Sequence, residues 1–137
     1  MKNIFLFGEC MIELMAASPA QPSNTLSQSF AGDVFNTAVY LKRTFENVHV
    51  HLVTAVGKDP FSLDMLNYFE QENISTDCVF QSDTKIPGLY SIQLDDQGER
   101  SFTYWRNDSA ARQVMQHIDE DAVSHLSAGD MFFFSGI

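Results

Sequence analysis

The stretch from Leu26 to Phe69, LSQSFAGDVFNTAVYLKRTFENVHVHLVTAVGKDPFSLDMLNYF, decides the fold, because its period changes and changes back. Leu26 to Phe30 alternates apolar and polar only roughly, a weak strand signal that leads into Ala31-Gly32-Asp33. From there Val34, Ala38, Leu41 and Phe45 fall at helical spacing, and Asp33 is placed to act as the N-cap. Val48 to Val56 then alternates as a strand, with Val48, Val50 and Leu52 on one face, and stops at Gly57-Lys58-Asp59-Pro60. A second helix is expected from Pro60, which is tolerated in a first turn, through Leu63, Leu66, Tyr68 and Phe69. Strand, glycine, helix, strand, glycine, helix is the alternation of an α/β protein with a mostly parallel sheet.

Outward from that stretch the pattern continues. Asn3 to Phe7 is nearly all apolar and stops at Gly8, as expected for a strand buried on both faces. Met11 to Ala16, apolar around Glu13, reads as a further strand, and Pro19, Pro22 and Asn24 mark a loop. After Ser75 the alternation breaks. Leu89 to Leu94 and Arg100 to Arg106 both alternate with period two, and Asp95-Asp96-Gln97-Gly98 between them is a strong hairpin turn. A hairpin set into a βαβ series predicts a small second sheet, such as a lid. Asp119 to Leu126 reads as a short helix and Met131 to Phe134 as another wholly apolar, buried strand. The text stops at Ser135-Gly136-Ile137, where a following helix would be expected. The expectation is therefore that residues 1–137 are the N-terminal part of a longer protein.

Composition narrows the function. Of 137 residues 45% are hydrophobic, enough for a real core, and eight Lys and Arg against 18 Asp and Glu give a formal charge of −10. An acidic chain with no basic cluster is ill suited to nucleic acid or an anionic membrane, where neutralising phosphates dominates affinity. The start imitates a signal peptide, but Glu9 and Glu13 interrupt its apolar run, which is also shorter than the ~20 residues of a membrane span. The sequons at Asn73 and Asn107 are then chance matches. Cys10 and Cys78 form no disulfide framework and no zinc set, and read as reduced, buried thiols in a cytoplasmic protein.

Three places carry candidate chemistry. Gly8-Glu9 sits at the carboxyl end of the first strand, where ligands of open α/β sheets bind, so the carboxylate could accept hydrogen bonds from substrate hydroxyls. Taken alone, a solvated loop glutamate is the better reading of it. In FAGDVFN, Phe30 to Asn36, a glycine before a helix lets the backbone approach a ligand, and Asn36 offers a donor and an acceptor. An ordinary helix cap explains the same residues equally well. In TYWRNDSA, Thr103 to Ala110, Arg106 could clamp a carboxylate through two parallel N–H bonds, with Tyr104 as hydroxyl and apolar wall. Tyr90 on the facing strand could reach the same place. An exposed aromatic patch used for dimerisation is the competing reading. His49 and His51 lack a third ligand and read as surface histidines, and Gly57-Lys58-Asp59 is not a phosphate loop.

GECMIEL from Gly8, FAGDVFNTAVYLKR from Phe30, VTAVGKDPFS from Val53 and PGLYSIQLDDQGERSFTYWRNDSAA from Pro87 resemble, in order and spacing, the ribokinase-like (PfkB) carbohydrate kinases. Gly88 to Tyr90 and YWRNDSAA, Tyr104 to Ala111, resemble in particular their ketodeoxygluconate branch. The resemblance implies an α/β, ribokinase-like fold: a mostly parallel central sheet flanked by helices, and a β-sheet lid from about 11–31 and 88–106. It implies transfer of the ATP γ-phosphoryl group, with Mg²⁺, to 2-keto-3-deoxygluconate. By position, Gly32, Asp33, Val34, Phe35 and Asn36 would line the sugar site. Tyr90, Tyr104, Trp105 and Arg106 would come from the lid, with Arg106 on the substrate carboxylate. A homodimer or higher homo-oligomer through the lid would follow.

Two departures stand out. Ala31 occupies the place of the first glycine of a usual Gly-Gly pair, tolerable unless that residue needs a positive φ. The family's catalytic aspartate, in a Gly-Ala-Gly-Asp segment, and its ATP-binding residues have no counterpart here, since Gly129-Asp130 precedes a strand instead of opening a helix. The chain alone is therefore expected to be inactive. The rival readings are a kinase for a neutral sugar, such as fructose or ribose, and a non-catalytic sugar-acid-binding fragment.

Overall fold

The computed structural model describes residues 1–16, 24–124, 126–127 and 130–135. The loop expected around Pro19 and Pro22 lies outside the described residues. Strand β1 (Lys2–Phe7) is central to a four-stranded sheet together with β4 (Val48–Val56), β5 (Val79–Gln81) and β8 (Met131–Phe134), ordered β5-β4-β1-β8. Every pairing in it is parallel, with Leu6 opposite Leu52 on one side and opposite Phe133 on the other.

The period of two along β1 sorts its side chains between two cores. Ile4 and Leu6 face the layer of α1 (Asp33–Thr44) and α2 (Pro60–Gln71), packing with Phe35, Ala38, Leu52, Met65 and Phe69. Phe5 faces the other way, against Val53, Ala55, Ala110 and Val114. The last two lie in a 3₁₀ segment, Ala110–Gln116, for which the sequence carried no periodic signal. At the start of the sheet Asn3 donates to Asp130 at 3.2 Å and lies 3.2 Å from the His51 ring, tying β1 to its neighbours on both sides.

The second sheet is mixed, ordered β3-β2-β6-β7 from Leu26–Ala31, Met11–Ala16, Leu89–Leu94 and Arg100–Trp105. Only the central pair, β2 with β6, is parallel. The β6–β7 turn closes as expected: Gly98 takes φ +80°, and the Asp95 carboxylate accepts from the backbone of Gln97 and Glu99. An α/β protein with a separate small sheet is thus what the alternation and the hairpin predicted.

Several finer expectations are corrected. Asp33 is the first helical residue and the N-cap is Gly32, which has no side chain with which to cap. The buried face of α1 is Val34, Phe35, Ala38 and Val39, whereas Phe45 lies past the last turn and is exposed. In α2 the buried positions are Ser62, Met65 and Phe69, and Leu63 faces solvent. The helix is rotated because Ser62 is fixed inward: its hydroxyl donates to Asp59 and accepts from the Gly57 N–H, a polar anchor that an apolar count overlooks. His51 is half-buried, stacked on Phe5 at 4.6 Å, although His49 is exposed as expected. Cys10 is buried but Cys78 only half-buried, and both are free. The helix expected at Asp119–Leu126 is shorter, Glu120–Ser124. All four side chains of β8 are exposed, not buried, because among the described residues β1 is its sole strand neighbour, although Phe132 meets Phe7 at 6.3 Å and, with Phe134, lines an apolar cavity.

Asp59 caps α2 through the Ser62 N–H as well as its hydroxyl. Loss of an N-cap acceptor costs about 1 kcal/mol, so Asp59→Ala is expected to lower the urea midpoint of unfolding by that equivalent. Asp59→Asn, which keeps the acceptor, should restore most of it.

Candidate functional site

β1 delivers the chain at Gly8, whose N–H bonds to the Val53 carbonyl at 3.2 Å, and Glu9 and Cys10 lead into β2. β3 delivers the chain at Ala31 to Gly32 and the start of α1. These two exits touch backbone to backbone. A Cβ on Gly32 would stand 2.4 Å from the Glu9 carbonyl oxygen, and one on Gly8 would stand 2.5 Å from Val34. Glycine is required at both because neither neighbour is a flexible side-chain end. Ala31, by contrast, is an ordinary strand residue opposite Met11, so its methyl group asks nothing unusual of the backbone.

Opposite these exits stands the end of the β6–β7 hairpin, and a cavity of about 180 Å³ lies between. Of the residues expected at the site, Gly32, Asp33, Val34, Asn36, Tyr90, Tyr104 and Arg106 line it. Phe35 does not: it is 1% exposed, in the core between Tyr68 and Phe69. Trp105 does not either. Register puts Tyr104 opposite Tyr90 and Trp105 opposite Leu89, so period two sends the indole to the other face of the sheet, into an apolar groove with Ile12 and Leu14. Gly8 and Glu9, the first candidates, line it too, while Met11, Phe102 and Ser135 line it unannounced. Phe102 was legible in principle, two residues before Tyr104 on the same face of β7. A larger, shallow groove near Lys42 and Asp77, about 710 Å³, gathers no aromatic wall, and its Arg43 is paired with Glu72.

The cavity has one cation and one aromatic wall. Tyr90 stacks on Tyr104 at 5.7 Å and Tyr104 on Phe102 at 6.2 Å, while the Arg106 guanidinium lies 5.9 Å from the Tyr104 ring. The Tyr90 hydroxyl donates to Glu13 at 2.9 Å, which fixes the ring against its neighbour. Burial, then the Glu13 carboxylate, push the ionisation of Tyr90 far above the ordinary phenol range. Burial likewise raises the Cys10 thiol, with the Glu9 charge adding to it, so Cys10 is no nucleophile. Arg106 Nη2 meets Glu9 Oε2 at 2.9 Å, and the Glu9 side chain is only 10% exposed. The solvated loop glutamate favoured from sequence is therefore corrected: Glu9 is half-buried, its side chain largely enclosed and ion-paired. Among the described residues no group of three or more His, Cys, Asp or Glu is placed to hold a metal ion.

Such a site can grip a small polyhydroxylated ligand between an aromatic wall and the N-terminus of α1. It can also bind an anionic group at Arg106. The Tyr90–Glu13 bond is checked by following tyrosinate absorbance against pH. One transition assignable to Tyr90 by its loss in Tyr90→Phe should lie above the ordinary range. Glu13→Gln should bring it part of the way down, because burial, the larger cause, remains.

The description "pfkB family carbohydrate kinase" matches residues 1–137. A 2-dehydro-3-deoxygluconokinase of Dickeya dadantii is 45% identical over 139 aligned positions, covering 99% of this chain and 43% of that protein. The chain thus spans less than half the length of this relative. Among solved structures, a 2-dehydro-3-deoxygluconokinase of Thermotoga maritima superposes with a TM-score of 0.83 over 99% of this chain and 41% of its own, at 20% identity, a likeness of fold. A fructokinase of Xylella fastidiosa with bound ATP superposes with a TM-score of 0.75 at 26% identity, covering 90% of this chain and 39% of that one. Sequence and fold agree, and the chain belongs to the pfkB family of carbohydrate kinases.

Proposed function

We propose that this chain supplies the sugar site and lid of an ATP-dependent kinase whose substrate is 2-keto-3-deoxygluconate. The substrate's terminal hydroxyl attacks the γ-phosphorus of ATP, the bond from that phosphorus to the bridging oxygen breaks, and ADP and the 6-phosphate result. The hydroxyl proton passes to a base outside this chain. Phosphoryl transfer depends on positioning and charge stabilisation, with Mg²⁺ serving the phosphates, and that machinery belongs to the part of the family's fold that residues 1–137 do not contain. What residues 1–137 contribute is recognition. Gly32 and Asn36 offer main-chain and amide groups to hydroxyls, Tyr90 and Tyr104 cover a sugar face, and Arg106 takes the carboxylate.

The observation that carries the reading is the placement of Arg106 at the mouth of a cavity walled by tyrosines. A neutral sugar gives a guanidinium there no carboxylate, whereas a 2-keto acid gives it one and with it a doubly charged hydrogen bond. Closure of the second sheet over the cavity would exclude water that competes for the phosphoryl group. The exposed rings of Phe102 and Tyr104 suit a second copy of this chain, which would complete a lid-to-lid homodimer. Two free cysteines suit a reducing cytoplasm, and among the described residues no helix is long and apolar enough to cross a membrane.

The rival is a neutral-sugar kinase, favoured by one observation: Glu9 already satisfies Arg106 from within. Steady-state kinetics of the full-length protein with 2-keto-3-deoxygluconate, gluconate and fructose separate the two. Arg106→Ala is expected to raise KM for the keto acid by one to two orders of magnitude, about the worth of a charge-assisted bond. Preferred turnover of fructose, untouched by Arg106→Ala, would establish the rival instead.

A further inference from the structure

Glu9 is enclosed more carefully than a loop residue requires. Its carbonyl oxygen is pressed on Gly32, where a Cβ would stand 2.4 Å away. Its carboxylate is pressed on Gly88, where a Cβ would stand 2.4 Å from Oε1 and 3.1 Å from the Arg106 Cβ. Two glycines from different elements thus make room for the main chain and the side chain of one glutamate. The carboxylate spends that position on a single partner. Oε2 is ion-paired with Arg106 Nη2 at 2.9 Å, and Oε1 is buried with no hydrogen-bond partner. Burying a carboxylate with an unsatisfied oxygen costs stability, so the pair is a poor device for holding the fold together. It is a good device for fixing one guanidinium.

The geometry of the contact leaves the cation usable. The ion pair brings Nη2 against Oε2, and a guanidinium carries five donors in a rigid fork. Arg106 also lines the cavity, with its guanidinium carbon 5.9 Å from the centre of the Tyr104 ring. We propose that Glu9 is a positioning residue: it holds the Arg106 guanidinium with one edge turned to the cavity, so that a sugar-acid carboxylate meets a cation already ordered. Arg106 otherwise stands on a lid strand's end with a long, freely rotating side chain, and a ligand would have to order it at the cost of affinity. Gly88 belongs to the same arrangement, since any larger residue would dislodge the carboxylate.

This inference rests on the sugar-acid reading above, and its test keeps the two apart. In the full-length protein, Glu9→Ala is expected to raise KM for 2-keto-3-deoxygluconate about tenfold, the effect of releasing one long side chain, and to leave KM for ATP unchanged. Glu9→Gln, whose amide oxygen can still accept from Arg106, should recover most of the loss, and Gly88→Ala should reproduce it. In an Arg106→Ala background Glu9→Ala should add nothing. An unchanged KM, a lowered KM (Glu9 a competitor of the substrate) or an equal loss in that background overturns the inference. NMR relaxation of the Arg106 Nε–H reads the ordering without any substrate. A guanidinium as ordered in Glu9→Ala as in the unaltered protein overturns it, whichever sugar the enzyme takes.

Discussion

Everything at the site hangs from the parallel ladder that fixes β1 between β4 and β8. A strand with Ile4, Phe5 and Leu6 buried on opposite faces has no tolerance for a shift of one residue, which would exchange its two cores. Its carboxyl end is therefore fixed to within a residue, and so is the point at which Gly8 and Glu9 emerge. α1 is packed on the same ladder through Phe35 and Ala38, so the Gly32 turn is placed by the same constraint. The close approach of Glu9 to Gly32 is the meeting of two well-fixed exits, not a local accident. Each exit hands the cavity one kind of group: a carboxylate from the first, and a helix N-terminus with Asn36 from the second.

The second sheet reaches the cavity by a different logic. No residue of β7 is buried, and Phe102 and Tyr104 along it are half exposed. Its other end is held by the parallel ladder of β6 on β2, and two polar contacts accompany that ladder. Tyr90 reaches Glu13, and Arg106 reaches Glu9. The spacing of those two glutamates lets one short segment of chain hold both ligand-facing side chains of the hairpin. In a chain of −10, the one cation lining this cavity is half-buried and stands beside a carboxylate partner of its own.

How much of this the sequence disclosed follows the range of the interactions. The βαβ series was plain because its signals are local: glycine at each strand exit and a change of period at Asp33 and Pro60. The hairpin was plain for the same reason, since Asp95 and Gly98 specify their own turn. Helix faces were less legible. Ser62 turned α2 inward through a polar anchor to Gly57, and Phe45 kept helical spacing past the end of its helix. Side-chain direction in the hairpin was readable but misassigned for Trp105, which period two separates from Tyr104 and Arg106. The partnership of Glu9 with Arg106 was out of reach. The two lie far apart in the sequence, and a lone glutamate after a strand looks the same whether solvated or enclosed.

Strand β8 remains to be weighed. Met131, Phe132, Phe133 and Phe134 stand exposed along a ladder that is paired on one side only among the described residues. Four consecutive apolar residues with open backbone groups form a template on which another extended chain can add itself, as in fibril growth. The acidic surplus of the rest of the chain opposes this, because copies that repel one another associate slowly. Colloidal behaviour of residues 1–137 is thus a contest between one sticky edge and a strongly negative surface. Salt, which screens the repulsion and leaves the apolar edge untouched, would tip it toward precipitation.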